Sequence, residues 1–303
     1  MPAHQGRHGR CTRHPGPSLR HPRRRPTLDV SRSSAPPTIP AAIRRALREA
    51  YRLARARFGH QHWWPAETPF EVCVGAILTQ NTAWSNVERA LANLKSAGVL
   101  DPHRLYAMPL AQLARHLRPA GYFNVKARRL RAFLEVLVKE YGGDLERMLS
   151  GPTQQVRARL LNIPGVGPET ADSMLLYAGG HAVFVVDAYT RRIFARHGWY
   201  HGSPLWSGMD FRSSGKAGSR NLGAPLALPT PSEPGLSYDA LQQLCTAALN
   251  HKHGAARLDY WQDYHAQLVM LGKHYCRTRN PLCHLCPLRA LLPPPQPATP
   301  HSK

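Results

Sequence analysis

The chain of 303 residues sets 40 Lys plus Arg against 18 Asp plus Glu, a formal charge of +22, with 43% hydrophobic and 19% charged residues. No apolar run reaches the ~18–20 residues of a membrane span and no apolar signal region lies near Met1, so neither a membrane protein nor a secreted one is expected. Six cysteines at this length do not make a disulfide scaffold, and so basic a chain calls for a polyanionic partner, nucleic acid first.

Residues 1–40 hold eight Arg and eight Pro against one acid, Asp29, which predicts a disordered basic arm. Ile43, Leu47, Tyr51, Ala54 and Phe58 then recur at helical spacing between arginines. Similar patterns follow at about 68–80, 84–97, 109–117, 125–141, 155–162, 168–179, 187–197, 238–250 and 258–273, so the fold class is all-α. Val183 to Val186 is β-like but short, and reads as a buried extended entry into the next helix. Residues 202–236 are rich in Gly, Ser and Pro and read as an expendable insertion loop, and 291–303 as a Pro-rich tail.

The stretch from Leu160 to Asp172 (LLNIPGVGPETAD) reads as helix, tight turn and helix. Gly165 and Gly167 permit positive φ and close approach of a phosphate, Pro168 suits a first helical position, and the second helix offers its positive dipole end. That combination is a sequence-independent clamp for a DNA backbone. Eighteen residues after Glu169, Asp187 stands between the apolar run Val183–Val186 and the helix beginning at Ala188. A carboxylate there could stabilise positive charge on a sugar or position a water; taken alone, it reads better as a helix N-cap.

From about residue 41 to 290, leaving out the insert, the chain resembles the helix-hairpin-helix DNA glycosylases of the endonuclease III superfamily, through the hairpin and the Val-Val-Asp187 segment at this separation. The resemblance implies a two-domain all-α fold with the active site in the interdomain cleft. One domain would be 41–66 plus 187–290, with the terminal helices, and the other 67–186, a helical barrel carrying the hairpin. It further implies a damaged nucleotide flipped out of double-stranded DNA, Asp187 as catalytic residue, and Gly165, Val166, Gly167 and Thr170 against the DNA backbone. Bifunctional members have a lysine two residues after the second hairpin glycine; here it is Glu169, which forms no imine. Base removal by water is therefore expected, with Glu169's ordinary role being to favour the dipole of its helix.

Two further blocks, His60-Gln61-His62-Trp63-Trp64-Pro65 and Phe70 through Thr79-Gln80-Asn81-Thr82-Ala83-Trp84, resemble the 3-methyladenine glycosylases of the endonuclease III class. The resemblance implies a base pocket of Trp63, Trp64, Pro65, Trp84 and Glu169, with Trp63 and Trp84 stacking on the flipped base. A ring-methylated purine is cationic, stacks well on aromatic faces and is already a good leaving group. Gly121-Tyr122-Phe123-Asn124 resembles the family's wedge loop, with Tyr122 as the wedge, Asn81 or Gln80 facing the opposite strand and Lys126 in a basic helix beside it. A bifunctional enzyme for oxidised pyrimidines is disfavoured by Glu169, an adenine-mismatch enzyme by the lack of a carboxylate around Gly75–Asn81, and a non-catalytic binder of distorted DNA by Asp187. The expected actor is a monomer, cytoplasmic and associated with the nucleoid.

Cys276, Cys283 and Cys286 match the first three ligands of the family's [4Fe–4S] site, but the fourth position is Leu292. A cluster with a non-cysteine fourth ligand, a three-iron form, a zinc using His284 or His274, or no metal all remain open, the cluster being favoured. If formed, it would hold Arg277 and Arg279 near phosphates. Cys11, Cys73 and Cys245 have no expected site role.

Overall fold

A computed structural model describes residues 39–62, 64–203 and 234–293. The basic arm, Trp63, most of the insertion and most of the tail lie outside the described residues. Those described are helical, with no strand among them. The helices are α1 (Ala41–Phe58), α2 (Pro69–Leu78), α3 (Trp84–Ser96), α4 (Pro102–Ala107), α5 (Leu110–His116), α6 (Phe123–Tyr141), α7 (Leu145–Leu149), α8 (Thr153–Leu161), α9 (Pro168–Tyr177), α10 (Ala188–His197), α11 (Tyr238–Ala248) and α12 (Gly254–His274). Two of them, α4 and α7, escape the periodicity because they span only six and five residues. Their caps were the available signal: Asp101 accepts from the amides of His103 and Arg104, and Asp144 from that of Arg147.

The buried residues form two clusters. One gathers α2 through α9, with Ile77, Leu94, Leu130, Phe133 and Leu160 among its fully buried members. The other gathers α1, α10, α11 and α12 around Ile43, Leu47, Phe194, Trp199 and Trp261. Val183 to Val186 is extended but pairs with no strand, as expected; Phe184, Val185 and Val186 are inserted in the second cluster, which fixes where Asp187 emerges.

Two buried carboxylates tie distant segments together. Asp172 in α9, fully buried, accepts from Arg157 Nε (2.7 Å) and Nη2 (3.1 Å) in α8, and from Tyr238 Oη (2.7 Å) and Gln242 Nε2 (2.6 Å) in α11. Asp263 in α12 accepts from Tyr51 Oη in α1 (2.7 Å) and from the backbone amide of Gln61 (2.8 Å), anchoring the segment that leads to Trp64. Each carboxylate has several donors, the condition under which buried charge is tolerated.

Candidate active site

A cleft of about 810 Å³ opens between the hairpin, the turn after α2 and the start of α10. Of the residues expected at the site, Trp64, Gln80, Asn81, Trp84, Gly165, Val166, Gly167, Glu169, Thr170 and Asp187 line it. Pro65, Tyr122, Lys126, Arg277 and Arg279 do not, and Trp63 lies outside the described residues.

The hairpin owes its shape to Gly165; Gly167, with φ −94° and open space where a Cβ would stand, does not require glycine. Gly165 has φ +90°, and a Cβ there would collide with the Arg129 stem of α6. Gly167 is the N-cap of α9, no side chain caps that end, and Pro168 follows, so the first-turn amides face outward with the dipole's positive end. Gln80 locks this turn from behind: Nε2 donates to Gly165 O and Thr170 Oγ1, both at 3.0 Å, and Oε1 accepts from Arg129 Nη1 at 2.5 Å. Gln80 is thus a strut of the hairpin and is not free to face the opposite strand. Thr170 is likewise buried, so its contribution to phosphate binding reduces to its backbone amide.

Asp187 is the N-cap of α10, and it also lines the cleft. One oxygen, Oδ1, accepts from the Thr190 amide (2.7 Å) and hydroxyl (2.8 Å) as the N-cap of α10. The other, Oδ2, faces His265 Nε2 at 3.6 Å. His265 Nδ1 in turn shares a 2.6 Å hydrogen bond with Tyr177 Oη. Burial alone would raise the Asp187 carboxyl, but His265 and the two Thr190 donors outweigh it and hold the group below the ordinary carboxylate range.

Glu169, in the first turn of α9, behaves oppositely. Its side chain is exposed to the cleft it lines, and the surrounding protein desolvates it in part. That desolvation, reinforced by the charge of Asp187, pushes its carboxyl up to about 7, against smaller opposing effects of His265 and Arg191. Two carboxyls of one cleft are thus driven apart in acidity, the pattern of a division of acid–base labour.

Above them, Trp64 and Trp84 meet edge to face, with centroids 5.2 Å apart at 89°, and Trp64 also packs on Tyr177 at 5.0 Å. They form a corner and leave no slot between them. Gly75 makes room: a Cβ there would stand 3.2 Å from Trp84 Cη2.

Asn81 and Tyr122 occupy exposed loop tips with φ of +55° and +45°. Positive φ in residues other than glycine is costly, and it points both side chains away from their own helices. Tyr122 is 71% exposed. Lys126 needs correction: it is 1% exposed, its Nζ donates to Ala120 O at 2.6 Å, and burial with neighbouring Arg129 lowers it to about 8. It closes the turn before α6 from inside and does not belong to the exposed basic face. Arg277 and Arg279 are exposed, on the turn after α12.

His265 and Tyr177 were not anticipated. His265 sits in a helix whose buried face also carries Asp263 and Gln267, and polar residues interrupting an apolar stripe were the available signal. Among the described residues no three His, Cys, Asp or Glu side chains are grouped as the ligands of a single metal ion are. Cys276, Cys283 and Cys286 are unpaired and line one small cavity of about 10 Å³ together with His197 and Leu292. His284 and His274, the imidazoles considered for a zinc, do not line it. Cys73 and Cys245 are fully buried core residues.

Residues 74–210 match the model of the HhH-GPD superfamily of base excision DNA repair proteins. A Methanocaldococcus jannaschii protein named as a DNA repair glycosylase is 37% identical over 240 residues, 79% of this chain and 92% of its own. Endonuclease III of Thermotoga maritima is 26% identical over 221 residues, 73% of this chain and 81% of the enzyme. Among solved structures, an endonuclease III–DNA complex shares the fold at a TM-score of 0.60 and 20% identity, covering 82% of this chain and 94% of that one. The Helicobacter pylori 3-methyladenine DNA glycosylase bound to 1,N6-ethenoadenine does so at 0.55 and 24%, covering 76% and 97%. With the hairpin, the cleft and the carboxylate at the head of α10 in place, the chain belongs to the HhH-GPD superfamily and is a base excision repair DNA glycosylase.

Proposed function

We propose that the protein removes alkylated purines, 3-methyladenine first, from double-stranded DNA by hydrolysis of the N-glycosidic bond, without cutting the strand. The observation that carries this reading is the pair Asp187 and Glu169, two carboxyls lining one cleft, where a lyase would need an amine at position 169. Asp187, ionised, stabilises the positive charge that develops on the sugar as the base departs. Glu169, in its carboxylate form, takes the proton of the attacking water. A ring-alkylated purine leaves as a neutral base and needs no acid to protonate it.

The aromatic corner of Trp64 and Trp84 suits a flat cationic base, which is attracted by ring faces. The hairpin amides would hold the backbone, and Tyr122 and Asn81 would fill the gap left in the duplex. The protein acts as a monomer in the cytoplasm, at the nucleoid, on this reading. The decisive variant is Asp187→Asn, because asparagine preserves the helix cap and removes only the charge. Release of 3-methyladenine should fall by about 10³-fold while duplex affinity stays unchanged. Turnover equal to the parent's would remove Asp187 from the chemistry.

One observation favours a second reading, a bifunctional glycosylase and lyase on oxidised pyrimidines: Lys273, in the last turn of α12, lines the same cleft. Borohydride trapping on a thymine-glycol duplex, abolished by Lys273→Ala, would establish that reading in place of the first.

A further inference from the structure

The helix cap engages only half of the Asp187 carboxylate. Thr190 donates to Oδ1 with both its amide and its hydroxyl, and Oδ2 takes no part in the cap. A terminal carboxyl torsion is broad, so a cap on one oxygen sets the plane of the group only loosely. A carboxylate that must meet a developing charge needs that plane fixed, since a misplacement of about 1 Å can cost about 10²-fold in rate. The side chain that faces Oδ2 is His265, midway along α12, with Nε2 at 3.6 Å. His265 is 5% exposed, and this nitrogen has no acceptor within hydrogen-bond distance. The separation exceeds a hydrogen bond and is of the kind that tightens in catalytic sites once substrate is bound.

The other ring nitrogen decides which way the contact runs. His265 Nδ1 shares a 2.6 Å hydrogen bond with Tyr177 Oη, whose second neighbour is the carbonyl of Gln262 at 3.2 Å. A phenol has one proton to give, and the ring nitrogen is the nearer acceptor. With Nδ1 accepting, the proton of the neutral imidazole lies on Nε2 and is directed at the carboxylate. The opposite tautomer would set a lone pair against a charged oxygen in a buried place, which low dielectric makes costly. Tyr177 is itself held, its ring packing on Trp64 (5.0 Å, 56°) and on His265 (5.8 Å, 50°). A continuous line of contacts therefore joins the aromatic corner to Asp187 through one residue of α9 and one of α12.

We propose that His265 is the positioning residue of the Asp187 carboxylate: its Nε2–H fixes Oδ2, Tyr177 fixes its tautomer, and the packing of Tyr177 on Trp64 ties the pair to the base corner. The logic is that of hydrolytic triads, in which a carboxylate orients an imidazole, with the two roles exchanged. Both residues act through Asp187. The inference rests on Asp187 as the carboxylate of the reaction and is independent of which lesion the cleft accepts.

The test reads single-turnover base release and duplex affinity of the full chain on methylated DNA, beside nitrogen NMR of histidine-labelled protein, in which the His265 signal is the one missing from His265→Gln. In His265→Leu the rate should fall by about 10²-fold, with affinity within about twofold of the parent's. His265→Gln returns an N–H near the place of Nε2 and should recover about tenfold of that loss. Placed in an Asp187→Asn background, His265→Leu should have no further effect, because a residue acting through a carboxylate is silent once the charge is gone. Tyr177→Phe keeps the ring against Trp64 and should move the His265 proton from Nε2 to Nδ1. An Nδ1–H tautomer in the parent protein, a parent-like rate in His265→Leu, or equal losses with and without Asp187 would overturn the positioning role. If His265→Leu does not fold, the parent's tautomer and the Tyr177→Phe shift decide the matter. Full loss in Asp187→Asn beside a parent-like His265→Leu would strike this role alone, whereas unchanged turnover in Asp187→Asn would strike the catalytic reading and this role with it. A parent that releases no methylated base would strike the alkyl-purine reading, and its tautomer would still decide His265.

Discussion

The hairpin between α8 and α9 and the turn after α12 both present donors at the surface, and they are completed in opposite ways. In the hairpin every strained or charged element has its counterpart within the chain: Gly165 turns over the stem of Arg129, Gln80 bridges Gly165 and Thr170, and Asp172 neutralises Arg157 behind them. In the cysteine turn Cys276, Cys283 and Cys286 line a small void beside His197, and no two of them are joined. A site made of backbone amides is finished by folding alone, because the last turn of free N–H groups is inherent to a helix start. A group of thiols around a void has no such inherent completion. The contrast separates a turn completed by its own chain from one that is not.

The largest effect expected on the hairpin side is from Asp172→Ala, which leaves the Arg157 guanidinium, Tyr238 and Gln242 without their common acceptor. It should destabilise the fold by about 3–5 kcal/mol in urea unfolding. A loss below about 1 kcal/mol would mean that the hairpin is not held from behind as described.

Next in size is the effect of Glu169 on chemistry. With its carboxyl near 7 and Asp187 ionised throughout, the rate of base release should rise about tenfold per pH unit below 7 and level off above it. The sign follows from the role: a base works in its deprotonated form, so activity is lost as pH falls through its pKa. In Glu169→Gln the rate should fall by about 10²-fold and that pH dependence should vanish. A rate that instead declines with rising pH would assign Glu169 as an acid acting on the leaving base.

The smallest is Gly165→Ala. Its positive φ and the collision with Arg129 should cost about 1–3 kcal/mol of stability, and the displaced amides should weaken binding to undamaged duplex as much as to damaged. Selective loss on damaged duplex alone would place the hairpin at the base and not at the backbone.

Much of this was legible in the sequence wherever function rests on local chain chemistry. The hairpin, the extended entry to Asp187 and most helices follow from glycine spacing, proline and apolar period, since these act within a few residues. Lys126 and Gln80 were misread for the converse reason. Whether a lysine at a helix start reaches solvent or caps the preceding turn, and whether a glutamine faces DNA or braces a loop 85 residues away, depends on tertiary packing. His265 stayed hidden because it acts through a neighbour distant in the chain, Asp187. The acidity of Glu169 was hidden as well, since desolvation is a property of the assembled cleft.

The central claim is that Asp187 and Glu169 direct water, and no amine, to the sugar. It is tested most directly by incubating the purified protein with a methylated duplex in the presence of borohydride, scoring released base, strand nicks and trapped protein–DNA adduct in the same reaction. Release of 3-methyladenine with intact strands and no adduct is the expected result. An adduct together with nicking would show that a lysine attacks the sugar, and would contradict the hydrolytic account.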